Sequence, residues 1–173
     1  MRTIFLSMSE AAQIIRKLRL TSHPEGGYFR ETYRAKQKIN ENVLPKNFVG
    51  DRNISTSIYF LLDGDQVSHF HKLMSDELWH FYKGSPIILH CLNGDNYKKI
   101  LIGNNFSKEE LPQCLIKAGT WFAAEIKNKK SYSLVGCTVS PGFDFADFKL
   151  AKRSELLKRF PNREKLILRF TNN

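Results

Sequence analysis

The chain lacks the means for disulfide chemistry: its three cysteines, Cys91, Cys114 and Cys137, lie far apart with no Cys-x-x-Cys pair. An odd, scattered set argues against a disulfide framework and against a zinc ribbon. Each cysteine reads instead as a small apolar residue buried on a strand. Long apolar runs are also missing. No stretch reaches the roughly 18 residues of a membrane span, and the opening MRTIFLSMSEAAQ is too polar for the core of a secretion signal. The expectation is a soluble, cytoplasmic protein with no membrane role. Acid is scarce as well: 17 Asp and Glu face 27 Lys and Arg, a formal charge of +10. Such a balance favours anionic partners, whether a phosphorylated small molecule, a nucleotide-sugar or nucleic acid. The basic residues are dispersed, however. Lys98-Lys99, Lys127-Asn128-Lys129-Lys130 and Lys152-Arg153 fall in turns or near the chain ends. No helix-turn-helix, RNA-binding signature or basic–aromatic interleaving accompanies them, so nucleic acid is not the expected partner.

What is present is enough for one core. The 173 residues are 42% hydrophobic and 12% aromatic, with 13 Phe and 6 Tyr, a mix that suits a β-rich interior. The reading is a single domain over 1–173, with a helical segment over 1–20, a β-barrel over 21–150 and a helical segment over 151–173. Ser7 and Glu10 have capping-box spacing, and Ala11, Ile14, Ile15 and Leu18 form an apolar stripe, which predicts a helix over about Met8 to Leu18. HPEGGYFRETYR follows. Its Pro24 and Gly26-Gly27 stop a helix, and Tyr28, Arg30 and Thr32 alternate with Phe29, Glu31 and Tyr33 as on a strand. Arg30 offers planar paired donors to a phosphate or carboxylate. Ala35 to Asn53 is polar and aperiodic, a candidate mobile loop. Later, Pro86–Leu92 and Tyr97–Ile102 flank an Asn93-Gly94 hairpin turn. Ser131–Ser140 reads as a strand ended by Pro141-Gly142, and Ser154–Phe160 as a short helix. Glu164–Thr171 fits either helix or strand.

The rest is organised around Ile54 to Gly84. Ser55–Leu62 alternates as a strand, Asp63-Gly64 signals a hairpin, and Gln66–His71 reads as the return strand. Residues two apart on a strand face the same side, so His69 and His71 are expected to point together. Glu77, Trp79 and Phe81 share a face of the next strand. If that strand lies alongside, imidazoles, a carboxylate and an aromatic wall converge on one pocket.

Gly64-x4-His69-x-His71-x5-Glu77-x6-Gly84 resembles the first motif of the cupins, small antiparallel barrels of jelly-roll type. The wider text is similar to the cupin type 5 family of unknown function, through HPEGGYFRETY at 23–33, STSIYFLL at 55–62, DELWH at 76–80 and VSPGFDF at 139–145. The resemblance runs from about Ile14 to Thr171. It implies a mainly β cupin fold with a short helix at each end, a homodimer, and a small polar ligand in the barrel. The strand at Tyr28–Glu31 also resembles one in deoxynucleotide-sugar 3,5-epimerases, which are cupins. That likeness implies substrate contacts from Tyr28, Arg30 and Glu31.

Three readings of the pocket compete. In the first, His69, His71 and Glu77 hold a divalent metal, Fe, Mn or Zn. The second cupin motif normally supplies a fourth ligand, a His, and Phe122 stands there instead. In the second, His71, held by Glu77, is the general base and Tyr59 the general acid of an isomerase or epimerase acting on a sugar or sugar-nucleotide. Those epimerases carry an Arg three residues before the base. Here Gln66 or Ser68 stands in that place, which weakens the case for a diphosphate. In the third, the barrel is a binding module, with Tyr28, Trp79 and Trp121 around the ligand and Gln66, His69, His71 and Glu77 as its polar contacts.

Overall fold

The computed structural model describes residues 8–172. Helix α1 (Glu10–Leu18) starts at Ser9, whose Oγ accepts the Ala12 N–H at 3.2 Å. The cap expected at Ser7 lies outside the described residues. The strands are β1 (Thr21–Ser22), β2 (Tyr28–Arg34), β3 (Lys38–Ile39), β4 (Arg52–Asn53), β5 (Thr56–Asp63), β6 (Val67–Lys72) and β7 (Asp76–Gly84), then β8 (Ile87–Asn93), β9 (Asn96–Ile102), β10 (Gln113–Ile116), β11 (Trp121–Ile126), β12 (Tyr132–Ser140) and β13 (Lys149–Leu150). Two helices end the chain, α2 (Arg153–Arg159) and α3 (Glu164–Arg169), the latter resolving the ambiguity over Glu164–Thr171 in favour of helix.

The strands form two facing sheets, β1-β2-β5-β12-β7-β10 and β13-β6-β11-β8-β9, with β3 and β4 paired separately. Every strand pair is antiparallel, as a jelly roll requires, and the barrel takes the flattened form of two sheets rather than one closed cylinder. Alternation along each strand divides its residues between two environments. Phe60, Leu62, Trp79, Leu89, Phe122 and Ile126 meet between the sheets. Each such fully buried side chain contributes about 1.5–3 kcal/mol. Leu61 and Tyr132 turn outward beneath α1, with Tyr28 and Tyr59 beside them. Phe70, Trp121 and Ala123 turn outward beneath α2 and α3, against Leu156, Phe160 and Phe170. Among the described residues no helix is long and apolar enough to cross a membrane.

Two sequence expectations are corrected here. Asp63-Gly64 does not close a hairpin: β5 and β6 belong to different sheets, and the turn carries the chain across the sandwich. A local turn signal does not say which sheet the returning strand joins. The polar stretch 35–53 is not a free loop. Its strands β3 and β4 pair, and the Arg52 guanidinium is buried in a two-fold hydrogen bond to Asp147, at 2.6 and 2.7 Å. Arg52 Nη1 also donates to the carbonyls of Val49, Gly50 and Asp51.

Candidate functional site

A cavity of about 270 Å³ lies between the sheets. Its walls are largely aromatic and aliphatic, with Phe29, Ile58, Phe60 and Trp79 among them, and exposed Glu31, Arg34, Asp144 and Phe145 frame its mouth. His71 enters from β6 and Glu77 from β7, so the two converge from facing sheets rather than from neighbouring strands.

His69 and His71 do not point together. Opposite β11, His71 pairs with Phe122 and Ser68 with Ala124, so three steps on β6 face two on β11. This bulge breaks the two-residue alternation. It puts Ser68 and His71 on one face and leaves His69 to another task. His69 donates both its backbone N–H and its Nδ1–H to the carbonyl of Glu25, at 2.7 and 2.8 Å.

Glu25, which the sequence did not single out as a site residue, is the centre of the buried cluster. Gly26 follows it at φ +108, where a Cβ would run into the Val67 carbonyl. Only glycine lets the turn press this close to β6. Glu25 is thereby delivered to three partners. Ser68 Oγ donates to its Oε1 at 2.9 Å, and its Oε2 lies 3.1 Å from His71 Nε2 and 3.4 Å from His23 Nδ1.

The hydrogen-bond pattern fixes the protons. His71 Nδ1–H donates to the His69 carbonyl at 2.8 Å, so a neutral His71 presents a lone pair at Nε2. His23 Nδ1 accepts the Glu25 backbone N–H at 3.3 Å, so it carries no proton to give the carboxyl oxygen and turns only its lone pair, shared with that N–H, toward it. A carboxyl oxygen facing two lone pairs holds a proton. Burial first, and then the charge of Glu77, raises Glu25 well above the carboxylate range, against the pull of the Ser68 hydroxyl. Burial also lowers His71 to about 3, although the His69 carbonyl opposes it, and lowers His23 to about 4. The cluster is a neutral acid between two neutral imidazoles.

Glu77 is different. It is buried, and its Oε2 has no hydrogen-bond partner, nor does the buried Trp79 Nε1. Burial pushes Glu77 up to about 7, with the dipoles of the Trp79 indole and the Cys137 thiol pulling the other way. A buried polar atom without a partner is rare and expensive.

Of the residues the sequence singled out, the cavity receives His71, Glu77, Trp79 and, at its mouth, Glu31. Tyr59, Tyr28 and Arg30 lie on the opposite face of their strands. There Tyr28 and Tyr59 pack beside α1, and the Arg30 guanidinium sits 6.0 Å over the Tyr59 ring. Strand alternation says which residues share a side but not which side faces in. Gln66 is spent in the corner, its Oε1 accepting the Asp63 N–H at 3.1 Å. Trp121 belongs to the layer under the C-terminal helices, with the Lys72 ammonium 5.0 Å over its ring. His23, Glu25, Arg34 and Phe148 line the cavity and were missed. The available signal for Glu25 was a lone carboxylate held between Pro24 and two glycines.

The donors do not fit a divalent Fe, Mn or Zn ion. His69 is committed to Glu25, His71 Nε2 faces a carboxyl, and the Phe122 ring packs 4.1 Å from the His71 ring. Among the described residues no three His, Cys, Asp or Glu side chains come together as a metal cluster.

The family model described as "Cupin superfamily (DUF985)" matches residues 12–151. An uncharacterized protein of Saccharomyces cerevisiae, YML079W, is 28% identical over 166 residues, 91% of this chain and 83% of that one. Two solved structures are similar throughout. A hypothetical protein from Leishmania major has a TM-score of 0.86 and 31% identity, covering 95% of this chain and 100% of its own. Protein SO0799 from Shewanella oneidensis has a TM-score of 0.84 and 32% identity, covering 95% and 99%. With a jelly roll of two facing sheets and a family match over most of its length, the chain belongs to the cupin superfamily, within the DUF985 family.

Proposed function

We propose that this cupin binds a compact molecule of monosaccharide size between its sheets and moves a proton on and off one of its carbons, an isomerase- or epimerase-type reaction. The observation that carries this reading is Glu77: a buried carboxyl whose Oε2 has no hydrogen-bond partner, pushed by burial to about 7, lining the same cavity as a protonated Glu25. A base poised near neutral pH and an acid kept neutral are the pair that such chemistry needs. Ionised Glu77 takes the proton as the C–H bond breaks. The electron pair moves onto an adjacent carbonyl oxygen, toward which Glu25 turns the proton it otherwise holds against the imidazoles. Return of the proton from Glu77 to the neighbouring carbon, with the hydroxyl proton of the first carbon passing to the former carbonyl oxygen, completes an isomerisation. Inversion at the first carbon requires the intermediate to turn over before Glu77 gives the proton back.

The roles expected from sequence are thereby redistributed. His71 is the positioning partner of Glu25 rather than the base, since its Nδ1 is spent on a carbonyl and its Nε2 faces the acid. Tyr59 is on the wrong face to be the acid. A whole nucleotide-sugar is a poor occupant. The cavity, about 270 Å³, falls just below the ~300–1,000 Å³ usual for ligand pockets, so only a single ring fits inside. Arg34, the one Lys or Arg among its described lining residues, donates to Glu31, Asn53 and the Phe143 carbonyl, which leaves little for a diphosphate.

Incubation of the protein in deuterium oxide with neutral aldoses and ketoses, followed by mass spectrometry, tests the proposal. Wild type is expected to place deuterium on a sugar carbon, and Glu77→Gln to slow this by ~10²–10⁴-fold. Binding with no isotope exchange across the panel would sink the catalytic half and leave a binding protein.

A further inference from the structure

The sign of charge inside the cavity is opposite to that of the chain. The whole sequence carries +10, yet the cavity is lined by four carboxyl groups, Glu25, Glu31, Glu77 and Asp144, and one guanidinium, Arg34. Arg34 is held by Glu31 at the mouth through two hydrogen bonds, of 2.7 and 3.0 Å. Glu25 is neutral by the pattern described above. Two charges then remain without a cation bonded to them: Asp144, whose Oδ1 only accepts the Ala146 N–H, and Glu77, whose buried Oε2 has no partner at all.

We propose that the ligand of this cavity carries a protonated nitrogen, and that Glu77 is its counter-ion. This rests on the reading of the cavity as a ligand site. A buried carboxylate needs an opposite charge or several donors. The described residues bring Glu77 no ion-pair partner, only the pull of the Trp79 indole and the Cys137 thiol, and its Oε2 has no hydrogen-bond partner. An ammonium supplies both. The aromatic walls favour the same guest, because ring faces attract cations, by ~0.5–2 kcal/mol each, more when dry. A phosphate or carboxylate would meet like charge from Glu77 and Asp144 and find Arg34 already engaged. The preference for anionic partners suggested by net charge therefore belongs to the outer surface and not to the cavity. Counter-ion and base roles are compatible on one carboxylate, since a positive nitrogen beside the reacting carbon acidifies its C–H bond.

Isothermal titration with two matched sets tests this: glucosamine, glucose and glucose 6-phosphate, then cyclohexylamine, cyclohexanol and cyclohexanecarboxylate. At least one amine is expected to bind ~10-fold or more tightly than its neutral counterpart, which is ~1.4 kcal/mol, with the anion weakest. Glu77→Gln, checked for fold by circular dichroism, should erase the amine's advantage, bringing the amine and its neutral counterpart within about two-fold of each other. Glu155→Gln, outside the cavity where Glu155 pairs with Lys149, should preserve the advantage. Neutral sugars binding as well as amines, or a preference that survives Glu77→Gln, overturns the proposal while leaving the proton-transfer reading standing. An anion preference, or no amine binding at millimolar concentration, also overturns it. Amine binding through Glu77 with no deuterium exchange supports it and removes the catalytic reading instead.

Discussion

Arg52 and Glu77 are both withdrawn from water, at 4% and 7% exposure, yet their surroundings differ completely. Arg52 meets the Asp147 carboxylate with two short hydrogen bonds and spends the rest of its fork on three carbonyls. Glu125, on the outer face of the five-stranded sheet, is treated the same way. Burial pushes it up, but hydrogen bonds from Lys129 and Arg169 outweigh that and bring it down to about 2. Glu77 receives nothing comparable and rises to about 7. The fold has the means to satisfy buried charge and uses them at its seams: loop 35–53 against the 145–148 turn, and helix α3 against its sheet. In the cavity it withholds them. An acid left without an ion-pair partner where cations are abundant elsewhere in the chain does not serve stability, and it is the feature on which the proposed ligand site rests.

The comparison breaks most visibly at Asp147. Asp147→Ala leaves a buried guanidinium without its carboxylate, a change that costs ~3–5 kcal/mol when one partner of a buried pair is removed. Urea unfolding should show a loss of that size. A loss under ~1 kcal/mol would mean that the seam is as loosely held as the cavity, and the contrast would fail.

Glu77→Gln should act in the opposite direction. The native carboxyl titrates near 7 against 4.5 for the free group, so the folded protein holds this proton more tightly than the unfolded chain. The contribution of Glu77 to stability therefore falls as pH rises through that window. Gln removes the ionisation, so the variant should gain up to ~3 kcal/mol over wild type near pH 8 and almost nothing near pH 4.5. Urea midpoints at the two pH values measure the difference. Equal effects at both would show that Glu77 has a partner in solution.

These tests bear on features of unequal legibility. The class of fold was open to reading because each strand carries its own alternation: Ile87, Leu89 and Cys91 inward against His90 outward, or the β8–β9 hairpin turning at Asn93 and Gly94. His71, Glu77 and Trp79 were legible for the same reason. What was hidden depended on relations between segments. The bulge that separates His69 from His71 exists only in the pairing with β11. The inward face of β5 is decided by where α1 packs, which put Tyr59 outside. Glu25 looks like a turn residue until the turn is laid against β6.

The smallest effect is expected where a charged residue is changed most conspicuously. Glu25 Oε2 faces two lone pairs, those of His71 Nε2 at 3.1 Å and His23 Nδ1 at 3.4 Å, while its Oε1 accepts from Ser68. Glutamine reproduces a protonated glutamate here, with an amide nitrogen donating toward both imidazoles and an oxygen accepting from the serine. Glu25→Gln should therefore shift unfolding free energy at neutral pH by less than ~1 kcal/mol, within the range of a well-matched hydrogen-bond exchange. Nitrogen NMR should show His71 neutral, with its proton on Nδ1, in both proteins. Were Glu25 instead the anion of an ion pair with a charged His71, the same substitution would cost ~3–5 kcal/mol, and the wild-type spectrum would show both ring nitrogens protonated. That outcome would turn the cluster into another satisfied seam, and only Glu77 would still set the cavity apart from Arg52 and Asp147.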